Sequence, residues 1–292
     1  MFFDTIKDYL PNVPYVGLVI LVVIGYVGIL WRILDKVTKF DDNAELFEKE
    51  NWAYALQRLA ICFAQIFAML PALVAFDKDQ PWRSLLWLVG QGLWVAVAIF
   101  ASRLVVDWVV LPKINNVQLM MEGNKAVGII EAGFYIGLGF LLNGSLTGDA
   151  DTFTTFWAST AAFYLAGLAF VSLVFLLHEY LTPYNIREGI KNGHLPSAIE
   201  TAGVIVAASM VTRIGVAGDF KDWSIGFAAF WATALISVVL LYVFRWVIDR
   251  IVLTSCTVKS IQADNLVVAA TVMAVLMDAT ALAVSTAVAA HL

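Results

Sequence analysis

Eight long apolar runs dominate the chain, and every connection between them is shorter than one such run. A helix needs roughly 20 apolar residues to cross the hydrocarbon core of a bilayer, and each run reaches that length. The connections leave no room for a soluble domain. The sequence therefore predicts one all-α membrane domain over residues 1–292, a polytopic bundle of eight transmembrane helices at residues 15–34, 53–76, 84–111, 126–146, 156–181, 197–217, 225–253 and 266–290.

The composition excludes a soluble globular protein. Hydrophobic residues make up 61% of the chain, charged residues make up 14%, and the mean hydropathy is +0.83. Soluble domains contain many more charged residues than this. The lipid bilayer is thus the expected partner, and neither a nucleic acid nor a cofactor is expected.

A short motif recurs four times in the chain and opens the second run of each pair. Its polar residues are Asn51, Asn124, His194 and Asn265, spaced by 73, 70 and 71 residues. A period that covers nearly the whole chain indicates one structural unit used four times. Since each unit crosses the membrane twice, all four units point the same way, which predicts parallel repeats about an axis near the membrane normal. The approximate bounds are 15–80, 81–150, 151–220 and 221–292.

The two helices of each unit differ in composition. The first is bulky and aromatic, as in the run that holds Trp87 and Trp94. The second is rich in small residues, such as Gly128 and Gly133 in the fourth run. Small residues let membrane helices approach closely. We therefore expect the four second helices to form an inner ring and the four first helices to face lipid.

Loop charges predict the orientation. The longer loops and their helix ends carry twelve Lys and Arg residues, against five on the other side. An excess of basic residues marks the cytoplasmic side. The expectation is a multi-pass membrane protein with the long loops in the cytoplasm and both termini facing outward.

Basic and acidic residues also recur in pairs at the ends of the first helices. The pairs Arg32–Asp35, Arg103–Asp107 and Arg245–Asp249 each lie on one helix face. They are interpreted as anchors whose charged tips reach the lipid headgroups.

Ionisable residues inside the membrane are the strongest functional signal. Arg58 and Glu131 lie seven positions after their motif residues, Glu200 lies six and Asp278 thirteen. Each charge costs roughly 2.5–3.5 kcal/mol at mid-bilayer. On an inner ring, Arg58 would pair with Glu131 or Glu200 and leave one spare carboxyl to bind a proton or cation. The alternative is a structural ion pair beside a neutral acid. Asp278, with Gln65 at nearly the same depth, is a further candidate for the solute path.

The motif residues have two interpretations. Asn51, Asn124, His194 and Asn265 form either a ring of polar groups at a pore mouth or a set of N-caps. No catalytic triad or metal-ligand cluster is visible in the sequence, and we expect neither an enzyme nor a metal site.

Residues 121–126 (MEGNKA), residues 131–133 (EAG), Gly137 and the Asp264-Asn265 segment carry a family resemblance. With these motifs the sequence resembles the YjfL-like family of bacterial inner-membrane proteins, domain of unknown function 350. Typical members look like four-helix proteins with two such units, which makes this chain a doubled form. The resemblance implies a bacterial inner membrane, so that both outward-facing termini are expected in the periplasm. It also implies an envelope or polyamine-related context, near phage-shock-protein-A-like proteins and ATP-grasp ligases.

Two functions follow as hypotheses. The first is a channel or transporter for cations, protons or small polar solutes, with the intramembrane charges along its path. The second is a membrane scaffold that recruits a cytoplasmic protein through its long loops, above all through the acidic run Asp41, Asp42, Glu45, Glu48 and Glu50. The outer aromatic faces are also compatible with a homo-oligomer.

Overall fold

The computed structural model describes residues 13–37, 41–251 and 258–291, and all regular elements in these segments are helices. Eight helices are long and apolar enough to cross a membrane, which confirms the predicted fold class. They are α1 (Val13–Val37), α2 (Trp52–Ala68), α4 (Pro81–Val105), α6 (Lys125–Ser145), α7 (Phe153–Leu181), α9 (Leu195–Val216), α10 (Trp223–Ile251) and α12 (Val267–His291). The short helices are α3 (Leu70–Val74), α5 (Asn116–Met121), α8 (Ile186–Lys191) and α11 (Val258–Ala263), and π-helical turns cover Ala44–Glu48 and Val106–Val110.

The eight spans form two layers. Helices α2, α6, α9 and α12 pack side by side in that order and make up the small-residue layer. Helices α1, α4, α7 and α10 make up the aromatic layer. Each of α4, α7 and α10 packs against two neighbouring helices of the first layer. The four helices of the small-residue layer all begin at one end of the molecule, which we call the cap end; the opposite end is the cavity end.

The small-residue layer is an open row, so the expectation of a ring about a common axis is wrong. Within the described residues, α2 and α12 share no interface comparable with those between successive helices of the row. The glycines of α6 explain the difference. Gly128 faces α2 and Gly133 faces α9, and at 100° per residue these two faces lie about 140° apart. A closed ring of four helices needs contact faces about 90° apart, so this spacing builds a nearly straight row.

Close backbone approach holds the row together. A Cβ atom added to Gly128 would lie 2.5 Å from the Cα of Ala53, and one added to Gly133 would lie 2.8 Å from the Cα of Ala202. At Gly203, the distance to the Cα of Ala274 would be 3.0 Å. Because lipid supplies no hydrophobic drive between helices, this close packing is a main source of association.

We expect Gly133→Ala to destabilise the protein by about 1–3 kcal/mol, because the new methyl group meets the backbone of α9. The matched control is Gly28→Ala on α1, where no atom lies within 4 Å of the added Cβ. Thermal unfolding of the detergent-purified variants measures the difference. Equal midpoints for the two variants would contradict this account of the row.

Candidate functional site

Polar residues at the cap end connect each unit to the next. The Asn51 side chain accepts from the backbone N–H of Tyr54, and its amide donates to the carbonyl of Met120 at 2.8 Å. Asn124 caps α6 in the same way and donates to the carbonyls of Ile190 and Lys191 at 3.1 and 3.0 Å. In each case the acceptor belongs to the short helix of the following unit, α5 or α8. One side chain therefore both caps its own helix and binds the next unit.

His194 occupies the same position in the third unit. Its Nδ1 lies 3.4 Å from the backbone N–H of Ser197, which it caps, and its Nε2 lies 3.0 Å from the carbonyl of Gln262 on α11. The imidazole thus performs both tasks that an Asn side chain performs in the first two units.

We expect Asn124→Ala to destabilise the protein by about 1–2 kcal/mol through loss of the cap and of both inter-unit bonds. Asn192→Ala, on an exposed side chain nearby, is the control, and thermal unfolding is the measurement; equal midpoints would contradict the assigned role.

The interpretation of Asn265 as the fourth cap is wrong. Asn265 has a φ of +52°. Gly123 and Gly193, which immediately precede the caps Asn124 and His194, also have positive φ, at +78° and +77°. Asn265 therefore corresponds to these glycines and immediately precedes the cap position of its own unit. Asn tolerates this left-handed backbone better than most residues do. Leu266 therefore stands where Asn124 and His194 stand. The last unit carries an apolar residue at the position that binds a following unit.

Arg58 is paired, but not with either predicted partner. Its side chain is 1% exposed, and its Nη2 donates to Oδ1 of Asp42 at 3.0 Å. Its Nε donates to the hydroxyl of Tyr54 at 2.9 Å, and that hydroxyl donates to Asp42. Glu131 and Glu200 bind other partners. The connection before α2 folds back and brings Asp42 to the arginine instead.

Glu200 forms the second charge cluster. It is 1% exposed, and Oε1 accepts from Nη2 of Arg245 while Oε2 accepts from the Tyr184 hydroxyl at 2.6 Å and from Nε2 of Gln262 at 2.8 Å. Burial and the nearby carboxylate raise the pKa of the Tyr184 phenol, which therefore stays protonated and donates. The interpretation of Arg245 as a headgroup anchor is wrong, because its guanidinium binds Glu200. The side chain of Asp249, its expected partner, lies outside the described residues.

Glu131 has a different environment. It is 2% exposed, and its oxygens accept from Nδ2 of Asn116 at 2.7 Å and from the side-chain amide of Gln57. Asn116 also donates to Asp107, whose carboxylate lies 3.9 Å from Nε of Arg103. Glu131 therefore contacts two neutral amides, and no described cation forms an ion pair with it. The predicted pairing of Arg58 with Glu131 or Glu200 is wrong; Glu200 binds Arg245 instead, and Glu131 is left without a described cation.

The two remaining candidates lie apart from these clusters. Gln65 on α2 is fully buried, and its amide donates to the carbonyl of Gly92 at 3.2 Å, while its Oε1 has no partner among the described residues. Asp278 lies on α12 at the end of the row, and its Oδ1 is buried without a described partner. The structure therefore does not gather Arg58, Glu131, Glu200 and Asp278 into one site.

Several residues of these clusters were missed in the sequence, namely Asp42, Asn116, Tyr184 and Gln262. All four lie in the connections that precede the second helices. A usable signal was present, because each of these connections carries polar residues about fifteen positions before an intramembrane charge. Within the described segments, no group of three His, Cys, Asp or Glu residues could hold a metal ion.

Comparison with known proteins gives the family. The sequence matches the Domain of Unknown Function (DUF350) three times, over residues 8–146, 83–215 and 151–288. It is 21% identical over 238 residues to the UPF0719 transmembrane protein of Aquifex aeolicus (strain VF5), covering 79% of this chain and 85% of that protein. No solved structure matches. Each match covers about two consecutive units, shifted by one unit from the last, as expected of a doubled form. The chain is thus an integral membrane protein that belongs to the DUF350 family.

Proposed function

We propose that the protein moves protons or a small monovalent cation across a bacterial inner membrane. The observation that carries the proposal is the environment of Glu131. Of the three intramembrane charges near the cap end, Arg58 and Glu200 each have an opposite charge, whereas Glu131 has only neutral amide partners. An ionisable residue inside a membrane helix is costly, and such residues usually serve ion or proton pathways.

The route runs between helices of the two layers and not through a central pore. Glu131 lies on α6 and binds Gln57 of α2, so the carboxyl bridges the α2–α6 interface. Gln65 lies on the same helix as Gln57, about 12 Å deeper into the membrane. Its unpaired Oε1 is a buried acceptor, and buried acceptors of this kind usually bind water or an ion. Together these groups support a polar pathway between α2, α4 and α6.

The distribution of basic residues supports one orientation of this pathway in the membrane. The longer loops, which carry the excess of Lys and Arg, join the helices at the cap end. With the basic loops in the cytoplasm, Glu131 lies near the cytoplasmic side and both termini lie in the periplasm.

A flux assay in proteoliposomes tests the proposal. Wild-type protein should dissipate an imposed proton or monovalent-cation gradient faster than protein-free vesicles. Glu131→Gln should slow this flux about tenfold or more, because it removes the carboxyl that takes up the proton or cation in the proposed polar pathway. Glu122→Gln, which changes an exposed carboxylate of the same unit, is the matched control and should keep wild-type flux. Flux equal to that of empty vesicles, or an unaffected Glu131→Gln variant, would contradict the proposal.

The acidic run that motivated the scaffold hypothesis is only partly available to a partner. Asp42 and Glu45 of the acidic run are buried, and each binds residues of its own unit. Burial alone would raise the pKa of Glu45, but hydrogen bonds from Lys49 and Asn51 outweigh that effect and lower it, so the carboxylate stays charged inside the unit. Only Asp41, Glu48 and Glu50 remain exposed for a partner. The acidic run therefore supports the local fold more than it supports docking.

A further inference from the structure

A large cavity lies at the cavity end, far from the charge clusters described above. Its volume is about 1150 Å³, and it opens between the ends of α2, α4, α6, α7 and α9. Pockets that hold drug-sized ligands measure roughly 300–1000 Å³. The cavity therefore has room for a ligand as large as a lipid headgroup with the first part of its chains.

One wall of the cavity carries a positioned guanidinium. Nε of Arg213 donates to Oδ1 of Asn143 at 2.6 Å, and Nδ2 of Asn143 donates to the carbonyl of Phe67 at 2.9 Å. Asn143 is buried and thus fixes the direction of the arginine. The two terminal amino groups of Arg213 have no acceptor among the described residues. A fixed guanidinium with two free amino groups matches the oxygens of a phosphate or a carboxylate.

A second wall carries an unpaired acceptor. Gln91 on α4 is 8% exposed, and its Oε1 is buried without a hydrogen-bond partner in the described part of the chain. Buried polar atoms of this kind are rare in native proteins unless a ligand, ion or water satisfies them. Gln91 lines the same cavity as Arg213, so the ligand that Arg213 attracts also finds an acceptor for an N–H or O–H group.

The other residues that line the cavity further restrict the class of ligand that fits it. Three exposed carboxylates, Asp77, Asp149 and Asp151, surround the mouth, while Arg83 and Arg213 are the cations. A purely anionic ligand would meet repulsion at the mouth, whereas a ligand with an anion and a cation finds partners for both. Trp87, Phe153 and Phe156 provide apolar aromatic walls.

From these four features we infer that the cavity binds a zwitterionic phosphate compound with an ammonium group, of the phosphoethanolamine class. The phosphate lies on Arg213, the ammonium donates to Gln91 or to the carboxylates at the mouth, and any acyl chains lie along the aromatic walls. Such a group reaches the cavity either as a lipid headgroup or as a free solute. This binding site does not depend on the proposed transport.

Thermal unfolding of the detergent-purified full chain, titrated with ligand, measures the binding. The probes are short-chain phosphatidylethanolamine, short-chain phosphatidylglycerol and free phosphoethanolamine. We expect phosphatidylethanolamine to raise the midpoint at lower concentration than phosphatidylglycerol does. Arg213→Gln should weaken the apparent affinity about tenfold or more, because a charge-assisted hydrogen bond is lost.

Two further variants keep the test decisive if Arg213→Gln folds poorly. Gln91→Leu leaves the Arg213–Asn143 bond intact and should also weaken binding, whereas Lys221→Gln, on an exposed side chain at the same end of the molecule but outside the cavity lining, should not. A shift with phosphatidylethanolamine alone supports a lipid headgroup, and a similar shift with free phosphoethanolamine supports a free solute. No shift with either compound, equal affinity for phosphatidylglycerol, or undiminished affinity in both Arg213→Gln and Gln91→Leu would overturn the inference.

Discussion

Arg58→Met is expected to lower the free energy of unfolding by about 3–5 kcal/mol, because it leaves the buried Asp42 carboxylate without its cation. Arg58 and Asp42 are both nearly inaccessible, and one carboxylate oxygen of Asp42 already lacks a hydrogen-bond partner. Water therefore cannot replace the lost guanidinium. Unfolding of the purified protein by a denaturing detergent measures the change.

The double variant Arg58→Met/Asp42→Asn separates a charge effect from a packing effect. Removing both charges should restore a large part of the lost stability, because neither member of this pair is then left as an unpaired ion. If the double variant is as unstable as Arg58→Met alone, or if Arg58→Met is as stable as the wild type, the assigned pairing does not hold.

Arg245→Met is expected to have a similarly large effect, again about 3–5 kcal/mol, because Glu200 would keep only its neutral partners Tyr184 and Gln262. An arginine that merely anchors a helix at the headgroups would give a much smaller change, within about 0.5 kcal/mol, as is usual for surface substitutions. The same unfolding measurement therefore distinguishes the buried ion pair from the anchor that the sequence indicates.

Arg250→Met supplies the matched control for this variant. Arg250 lies on the same helix, is exposed and stacks over the ring of Trp246. It should change stability little. If Arg245→Met changes the stability as little as Arg250→Met does, both residues act as surface groups, and the pairing of Arg245 with Glu200 is contradicted.

The eight spans and the parallel units follow from the sequence because the bilayer leaves few alternatives. A chain that crosses lipid must satisfy its backbone groups internally, so each long apolar run becomes a helix. The period of the motif then determines which helices are equivalent. Neither step requires knowledge of which side chains touch across the bundle.

The row of helices was harder to predict because it depends on angles around one helix. The small residues of α6 correctly indicate close packing, yet their total number does not say whether the row closes. The angular separation of Gly128 and Gly133 contains that information. The fourth cap was mispredicted through a shift of one residue, because Asn265 lies one position before the structural equivalent of Asn124.

The partners of the buried charges were not predictable from depth alone. Arg58, Glu131 and Glu200 do lie at similar distances from their caps, but each binds its own set of partners. Most of these partners lie in the connections, and the others lie on α2 and α10. The spacing does not indicate which connection contacts which charge, because Gln262 precedes Asp278 in the sequence but binds Glu200. The prediction that Arg58 pairs with Glu131 or Glu200 is wrong, and Glu131 is the carboxyl that the described residues leave without a cation.

Infrared difference spectroscopy on the membrane-reconstituted protein tests most directly whether Glu131 is an exchangeable group. Acidification should produce a protonated-carboxyl band that is retained in Glu122→Gln and lost in Glu131→Gln. A spectrum that is unchanged in Glu131→Gln would contradict the account, because Glu131 would then be a fixed structural group.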